Sequence, residues 1–193
     1  MGILKRLYSF MSKKEQIDIS PMQELFSKYG PCRARMYKYK GVEYLLFMSK
    51  DFNTEQIGLG YIYRDTHAKH QMSGIECNCN NQIDLALKLI LEVQGFAIYA
   101  TDDYLAIEEC LRKIGAKRRV SKQSSQNIEH EIFAHELGSG EYALFIHIMQ
   151  ELGVQRVRLI SSDPGIALSM QRFGIELVEW SSVIGFEYGD SAL

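Results

Sequence analysis

Two cysteines two residues apart, Cys77 and Cys79, stand where a strand-like region gives way to an amphipathic helix. Thiolates are good zinc ligands, and a catalytic zinc needs three protein ligands and one open position for water. The polar loop before them, residues 64–76, carries His67 and His70. A set of His67, Cys77 and Cys79 matches the ligands of zinc deaminases, which activate water for hydrolysis. The alternative is two solvated histidines and two reduced thiols packed at the start of a helix.

A second group of polar residues precedes a helix near the carboxyl end of the chain. Ser161, Ser162 and Asp163 follow an apolar run, and Pro164 suits the first helical turn. The start of a helix can bind an anion through its free N–H groups. The same residues are also ordinary helix caps, and the charge of Asp163 opposes a bound phosphate.

Three weaker groups have simpler structural interpretations. His147 lies in a helical pattern, which favours a core or dimer-interface role over catalysis. His130 and His135 belong to an H-E-x-x-x-H-E run whose spacing differs from the zinc-binding H-E-x-x-H. Residues 117–126 are basic and serine-rich, which predicts a solvated surface loop.

The composition is that of an ordinary globular domain. The 193 residues are 46% hydrophobic and 24% charged, with a net charge of −2. This charge gives no field that would attract nucleic acid or a membrane surface. No apolar run reaches the ~20 residues of a membrane-spanning helix, so no integral membrane segment is expected. Four cysteines in a chain of this size do not form a disulfide framework, and we expect a reducing, cytoplasmic location.

Hydrophobic periodicity predicts a layered α/β protein, with a mixed sheet and flanking helices in an α+β arrangement. Residues 1–27 read as a helical or loose leader, and residues 183–193 as a tail. The remaining residues, 28–182, are predicted to form one domain. Strands are expected at 32–39, 42–49, 57–63, 96–100, 157–160 and 175–178, and helices at 80–93, 101–114, 142–152 and 164–172. Gly41 predicts a hairpin, and Gly95, Gly153 and Gly174 are expected to end helices.

Four blocks of the chain together resemble the GTP cyclohydrolase II family. Residues 77–87 resemble its Cys-Asp-Cys-Gly-x-Gln-Leu-x-x-Ala-Leu segment, and residues 29–35 are similar to its opening strand. Residues 152–164 resemble its Leu-Gly-Val-x-x-Val-Arg-Leu-Leu-Thr-Asn-Asn-Pro segment, and residues 172–179 its Tyr-Gly-Ile-x-Val-Val-Glu-Arg segment. The resemblance implies a homodimer that opens the guanine imidazole ring of GTP and releases formate and pyrophosphate, beginning riboflavin synthesis. It also implies a zinc held by three cysteines and magnesium at the phosphates.

The resemblance fails at the positions that would carry this chemistry. Thr66, eleven residues before Cys77, replaces the first zinc cysteine, and a hydroxyl is a poor ligand for zinc. Asp103 keeps a carboxylate where the family has a catalytic-loop glutamate. At the other positions the functional groups of the family are replaced. Two arginines of the family correspond to Tyr61 and Leu105, and a phosphate-contacting lysine corresponds to Ile166. An Asp-x-Arg pair corresponds to Gly138 and Gly140, and a tyrosine falls near Ile114 or Ala116.

The sequence thus favours a GTP cyclohydrolase II-like pseudoenzyme with a regulatory or ligand-binding role, as a homodimer with a purine nucleotide as ligand. Magnesium and nucleic acid are not expected to bind. The alternative is a diverged zinc hydrolase of a purine or related ring, with Asp103 as base and Ser161 and Ser162 binding substrate, or residual GTP cyclohydrolase II activity. A third hypothesis is an interaction module that uses residues 117–126.

Overall fold

A computed structural model describes residues 15–65, 79–102, 107, 110–112, 117–118, 128–132 and 142–182 of the chain. Its strands are β1 (Glu15–Ile19), β2 (Gln23–Ser27), β3 (Gly30–Tyr39), β4 (Val42–Ser49), β5 (Gly58–Asp65), β6 (Phe96–Thr101), β7 (Lys117–Arg118), β8 (Ile128–Ile132), β9 (Arg156–Ile160) and β10 (Glu176–Ser181). Its helices are α1 (Cys79–Glu92), α2 (Ala143–Glu151) and α3 (Pro164–Arg172). Residues 107 and 110–112 are also helical.

The described strands form one mixed sheet in the order β10-β9-β5-β6-β4-β3-β1-β8, with β2 paired to β3 and β7. The four strands β10, β9, β5 and β6 run parallel to one another. The pairs from β6 through β4, β3 and β1 to β8 are antiparallel. The sheet therefore has a parallel half and an antiparallel half that meet between β6 and β4, which confirms the predicted mixed sheet with flanking helices.

Helices cover both faces of this sheet, and β4 shows why. Tyr44, Leu46 and Met48 lie in one buried cluster with α2 and α3, whereas Leu45 and Phe47 lie in a second cluster with α1. Successive side chains of a strand point to opposite faces, so an unbroken apolar strand requires apolar layers on both sides. We call these two sides the α2/α3 face and the α1 face.

Glycine has two different roles near the ends of the helices: it adopts the left-handed conformation, or it permits the close approach of another strand. All three helices close with the same backbone pattern, in which the second residue past the cap donates its N–H to a carbonyl five residues earlier: Gly95 to Ile90, Val154 to Met149 and Ile175 to Met170. The residue before each donor is left-handed, and it is Gly153 in α2 and Gly174 in α3. In α1 that residue is Gln94, at φ 57°. The prediction that Gly95 ends α1 is therefore wrong by one residue.

Gly95 is required by the close approach of another strand. A Cβ atom at this position would lie 2.4 Å from the carbonyl oxygen of Leu59 in β5. No side-chain rotation relieves a contact with a backbone oxygen, so any larger residue must displace the strand.

Two predicted irregular segments are strands instead. Residues 15–27, expected in a helical or loose leader, contain β1 and β2, which both pair with β3. Residues 117–118, expected in a surface loop, form β7 and pair with β2. The His130 and Glu131 positions of the H-E-x-x-x-H-E run lie in β8, paired with β1. Strand β1 alternates, with Ile17 and Ile19 buried and Asp18 exposed, but three residues are too short a pattern to predict a strand.

No helix among the described residues is long and apolar enough to cross a membrane.

We predict opposite effects for substitutions at two adjacent residues. Gln94→Gly should raise the free energy of unfolding by about 1 kcal/mol, because glycine adopts the left-handed region without steric cost. Gly95→Ala should lower it by about 1–3 kcal/mol, because the added methyl group overlaps the Leu59 carbonyl. Urea unfolding of both variants measures the two changes, and a Gly95→Ala variant as stable as the wild type would contradict the described packing.

Candidate functional site

The parallel half of the sheet contains a topological switch point between β5 and β9. From β5 the chain passes through α1 on one face to β6, and it later returns through α2 on the other face to β9, on the opposite side of β5. In open α/β sheets, ligands bind outside the carboxyl ends of the strands where the direction of winding reverses. The crevice beyond β5 and β9 is therefore the candidate functional site.

The strands β5 and β9 end at different levels beside this crevice, and we call this difference the step. Asp65 at the end of β5 is level with Thr101 in β6, but Ile160 at the end of β9 is level with Tyr61. The end of β9 therefore lies four residues, or about 13 Å, short of the end of β5. The turn that follows β9 occupies the floor of the step.

Of the predicted zinc residues, the described part of the chain includes Cys79, at the start of α1. Because α1 connects two parallel strands, it runs antiparallel to them, and its first residue, Cys79, lies at their carboxyl edge. The positive end of the helix dipole at this place favours a thiolate. Thr66, His67 and Cys77 lie outside the described residues, as does Asp103 after β6.

The described residues do not contain a metal site by themselves. Among the residues placed by the structure, no group of three or more His, Cys, Asp or Glu side chains could hold a metal ion. Cys32 is buried in the α1 face, and burial raises the pKa of its thiol to about 11, so it is not a ready thiolate ligand. In donor type, His67, Cys77 and Cys79 suit zinc, and zinc binding by these residues stays a prediction.

The turn after β9 is held together by its own polar groups. Asp163 caps α3, with Oδ1 accepting a hydrogen bond from the Gly165 amide at 2.9 Å. The Ser161 hydroxyl accepts one from the Asp163 amide at 3.2 Å, and its carbonyl accepts one from Trp180 Nε1 at 3.1 Å. Ser161 is 1% exposed, whereas Ser162 is exposed. The predicted capping role of Asp163 is confirmed, and substrate binding by the two serines stays a prediction.

The side chain of Tyr142, at the start of α2, contacts this turn through its hydroxyl group. Its hydroxyl donates to the Asp163 carboxylate, at 2.9 Å from Oδ2 and 3.0 Å from Oδ1. A Cβ atom on Gly165 would lie 2.5 Å from the same hydroxyl oxygen. The first turn of α3 therefore already holds a carboxylate and a phenol at the position where an external anion would bind. Sequence spacing does not indicate this contact, because it joins residues 21 positions apart.

The sequence analysis also missed a buried carboxylate beside the crevice. Glu43 pairs with Thr101 across β4 and β6, and it is 8% exposed although its strand is otherwise apolar. Its Oε1 lies 3.4 Å from Lys38 Nζ, and its Oε2 is buried without a hydrogen-bond partner. A charged residue inside an apolar strand was the available sign of this group. Through its pairing with Thr101, this carboxylate lies near the carboxyl end of β6, two strands from β5.

The β2–β3 turn supports α1 from the antiparallel half. Lys28 Nζ lies 2.7 Å from Asp84 Oδ1, and the Tyr29 hydroxyl donates to Asp84 Oδ2. The hydrogen bond that Lys28 donates to Asp84 raises the pKa of Lys28. Burial of the phenol and its hydrogen bond to Asp84 raise the pKa of Tyr29. Asp84 lies in the second turn of α1, so these contacts hold the part of the helix that begins at Cys79.

Comparison with known proteins identifies clear relatives. A family model described as GTP cyclohydrolase II matches residues 23–182. GTP cyclohydrolase-2 of Shewanella pealeana is 29% identical over 141 residues, which cover 72% of this chain and 66% of that protein. The probable monofunctional riboflavin biosynthesis protein RIBA 3, chloroplastic, of Oryza sativa subsp. japonica is 25% identical over 181 residues, covering 89% of this chain and 33% of that protein. The chain thus spans about two thirds of the length of the first relative and one third of the second.

A solved structure shows a more distant likeness. RibBX, a two-domain 3,4-dihydroxy-2-butanone 4-phosphate synthase from A. baumannii, aligns with a TM-score of 0.44 and 12% identity, over 93% of this chain and 44% of that one.

We predict that Tyr142 and Asp163 stabilise the protein as a coupled pair. Tyr142→Phe should lower the free energy of unfolding by about 1–2 kcal/mol, since it removes a hydroxyl that donates to a carboxylate. In an Asp163→Ala background, the same substitution should have almost no effect. A double-mutant cycle by urea unfolding measures the coupling, and additive losses within about 0.3 kcal/mol would contradict it.

Proposed function

Because the chain belongs to the GTP cyclohydrolase II family, we propose that it is a non-catalytic member with a regulatory or ligand-binding role. The observation that carries this proposal is the burial of Ile166. The resemblance to the family assigns a phosphate-contacting lysine to this position. Ile166 is 0% exposed and lies in the core cluster of the α2/α3 face. At the start of α3, this chain therefore has a buried isoleucine in place of the lysine that the resemblance assigns there.

A second family cation is replaced in the same way. The resemblance assigns an arginine to Tyr61, which is 2% exposed in the core cluster of the α1 face. Loss of one group that stabilises transition-state charge typically costs about 10²–10³ in rate. Two such losses, with Thr66 at the first zinc position, support a protein that does not turn over GTP.

The start of α3 also opposes a triphosphate. The Asp163 carboxylate accepts the Gly165 amide and the Tyr142 hydroxyl, which uses the donors that would bind a phosphate oxygen. Its negative charge would repel a phosphate at the same place. We therefore propose that a purine ligand of this protein binds without phosphate contacts at α3. The homodimer belongs to this proposal, as does a cytoplasmic location, which fits the free buried thiol of Cys32.

One observation favours a second candidate, a zinc-dependent hydrolase of a purine or related ring. Cys79 begins α1 at the carboxyl edge of the parallel strands, beside the switch point. A zinc held by His67, Cys77 and Cys79 would supply an activated water when bound. Asp103 would hold the proton of that water, and Ser161 and Ser162 would contact the substrate. The version of this candidate that departs least from the family would be a protein with residual GTP cyclohydrolase II activity.

We predict no formate release from GTP. Purified protein with added zinc and magnesium should release formate no faster than a blank, because the family's cationic groups are absent. The Shewanella pealeana GTP cyclohydrolase-2, assayed in parallel, is the positive control. In thermal-shift measurements guanosine should stabilise the protein at least as well as GTP, and Asp163→Asn should shift this preference towards GTP. Formate release within tenfold of the control rate would overturn the proposal.

The metal content distinguishes the two candidates. For the non-catalytic protein we expect well below one zinc per chain after purification without added metal. About one zinc per chain, lost in Cys77→Ser and Cys79→Ser, would establish the hydrolase candidate instead. Cys32→Ser is the matched control, since its thiol is buried away from the crevice and should leave the zinc content unchanged.

A further inference from the structure

A separate cavity of about 210 Å³ lies in the antiparallel half of the sheet, on the α1 face. Its lining comes from the β2–β3 hairpin, β4 and the helical residues at 110–112. The lining residues are Ser20, Gln23, Leu25, Ala34, Arg35, Met36, Leu45 and Leu111. All of them belong to the described part of the chain, and none follows the carboxyl end of a parallel strand.

The walls of this cavity are core residues. Leu25, Ala34 and Leu45 are buried members of the core cluster of the α1 face, and Met36 and Leu111 pack against that cluster. Protein interiors are normally packed so closely that voids larger than a water molecule are few. Pockets that bind small molecules are lined mainly by apolar side chains, with a few polar groups that orient the ligand. A cavity of this size and lining therefore suits a small, mainly apolar ring system.

The polar groups around the cavity restrict its ligand further. The Ser20 hydroxyl is already used, since it accepts the Met36 amide at 2.9 Å and donates to the Pro21 carbonyl at 3.3 Å. The Arg35 guanidinium pairs with Glu151 of α2, on the other face of the sheet. Gln23 is left as the lining residue that offers a neutral donor and acceptor. Among the described lining residues, the charge of Arg35 is already paired with Glu151, so a neutral ligand suits the cavity better than an anion.

We propose that this cavity is a ligand-binding site for a neutral, flat bicyclic heterocycle with a lactam edge. The fused rings lie among Leu25, Ala34, Met36, Leu45 and Leu111. The N–H and C=O groups of the lactam edge pair with the side-chain amide of Gln23. The site is distinct from the crevice between β5 and β9.

The position of the cavity connects it to α1. The β2–β3 hairpin forms one wall, and its turn contacts Asp84 of α1 through Lys28 and Tyr29. A ligand that orders the hairpin would also steady the helix that begins at Cys79. As a regulatory site, the cavity rests on the proposed non-catalytic role, whereas its binding of a ligand does not.

The test uses quinazolin-4(3H)-one as the probe and its N3-methyl derivative as the matched control, since methylation removes the lactam N–H. Binding is followed on the full chain by the ¹³C-methyl signal of Met36, assigned with Met36→Leu, and by calorimetry. We expect saturable binding of one probe per chain, with the methyl derivative about tenfold weaker. Gln23→Leu should weaken the probe about tenfold and remove the difference between the two compounds.

Ala34→Leu should fill the cavity, raise the melting temperature and abolish probe binding. Leu111→Phe narrows the cavity from the helical side and replaces this variant if it does not fold. Gln171→Leu, an exposed amide on α3, is the matched control and should bind like the wild type. Absent binding to the wild type, or unchanged binding in the filled variant, would overturn the inference. Neither result involves GTP or formate, so it is distinguishable from a failure of the proposed function.

Discussion

The parallel pairing of β5 with β9 is the constraint on which the candidate site depends. Residues 58–61 lie beside residues 157–160, and this contact brings the second half of the chain against the first. Gly60 permits the packing, because a Cβ atom there would lie 2.8 Å from the Phe96 ring and 3.0 Å from the Val157 side chain. Since β6 lies on the other side of β5, the pairing creates the switch point, and with it the crevice.

A carboxylate of the chain itself sets the electrostatics at one end of this crevice. A helix start at the carboxyl edge of a parallel sheet is a ready anion site. In this protein the anion is the Asp163 side chain, held by a backbone amide and a phenol. The buried Glu43 adds a second carboxylate near the same edge. An intramolecular carboxylate costs no translational entropy to bind, so a free phosphate competes with it at a disadvantage.

The two halves of the sheet offer different environments to a ligand. The parallel half presents strand ends, helix starts and polar side chains, whereas the antiparallel half holds a partly open, mainly apolar cavity between the β2–β3 hairpin and Leu111. Helix α1 belongs to both, since it begins at the carboxyl edge and is contacted by the hairpin turn.

Local pattern was sufficient for the elements with strong periodicity. The hairpin at Gly41, helices α1 to α3 and strands β4, β5, β6, β9 and β10 follow from apolar spacing, caps and turn residues in the sequence, as does the family resemblance. Strands β1, β2, β7 and β8 were missed because they are only two to five residues long, too short for their apolar pattern to be recognised. The sequence by itself therefore determined the type of each strongly patterned element and the uncharged side chains at positions such as Ile166. Only the tertiary structure decided the order of the strands, the contact of Tyr142 with Asp163, the burial of Glu43 and the cavity beside Gln23. The physical reason is that side-chain periodicity reports which faces are buried, whereas strand order and long-range contacts depend on which buried faces meet.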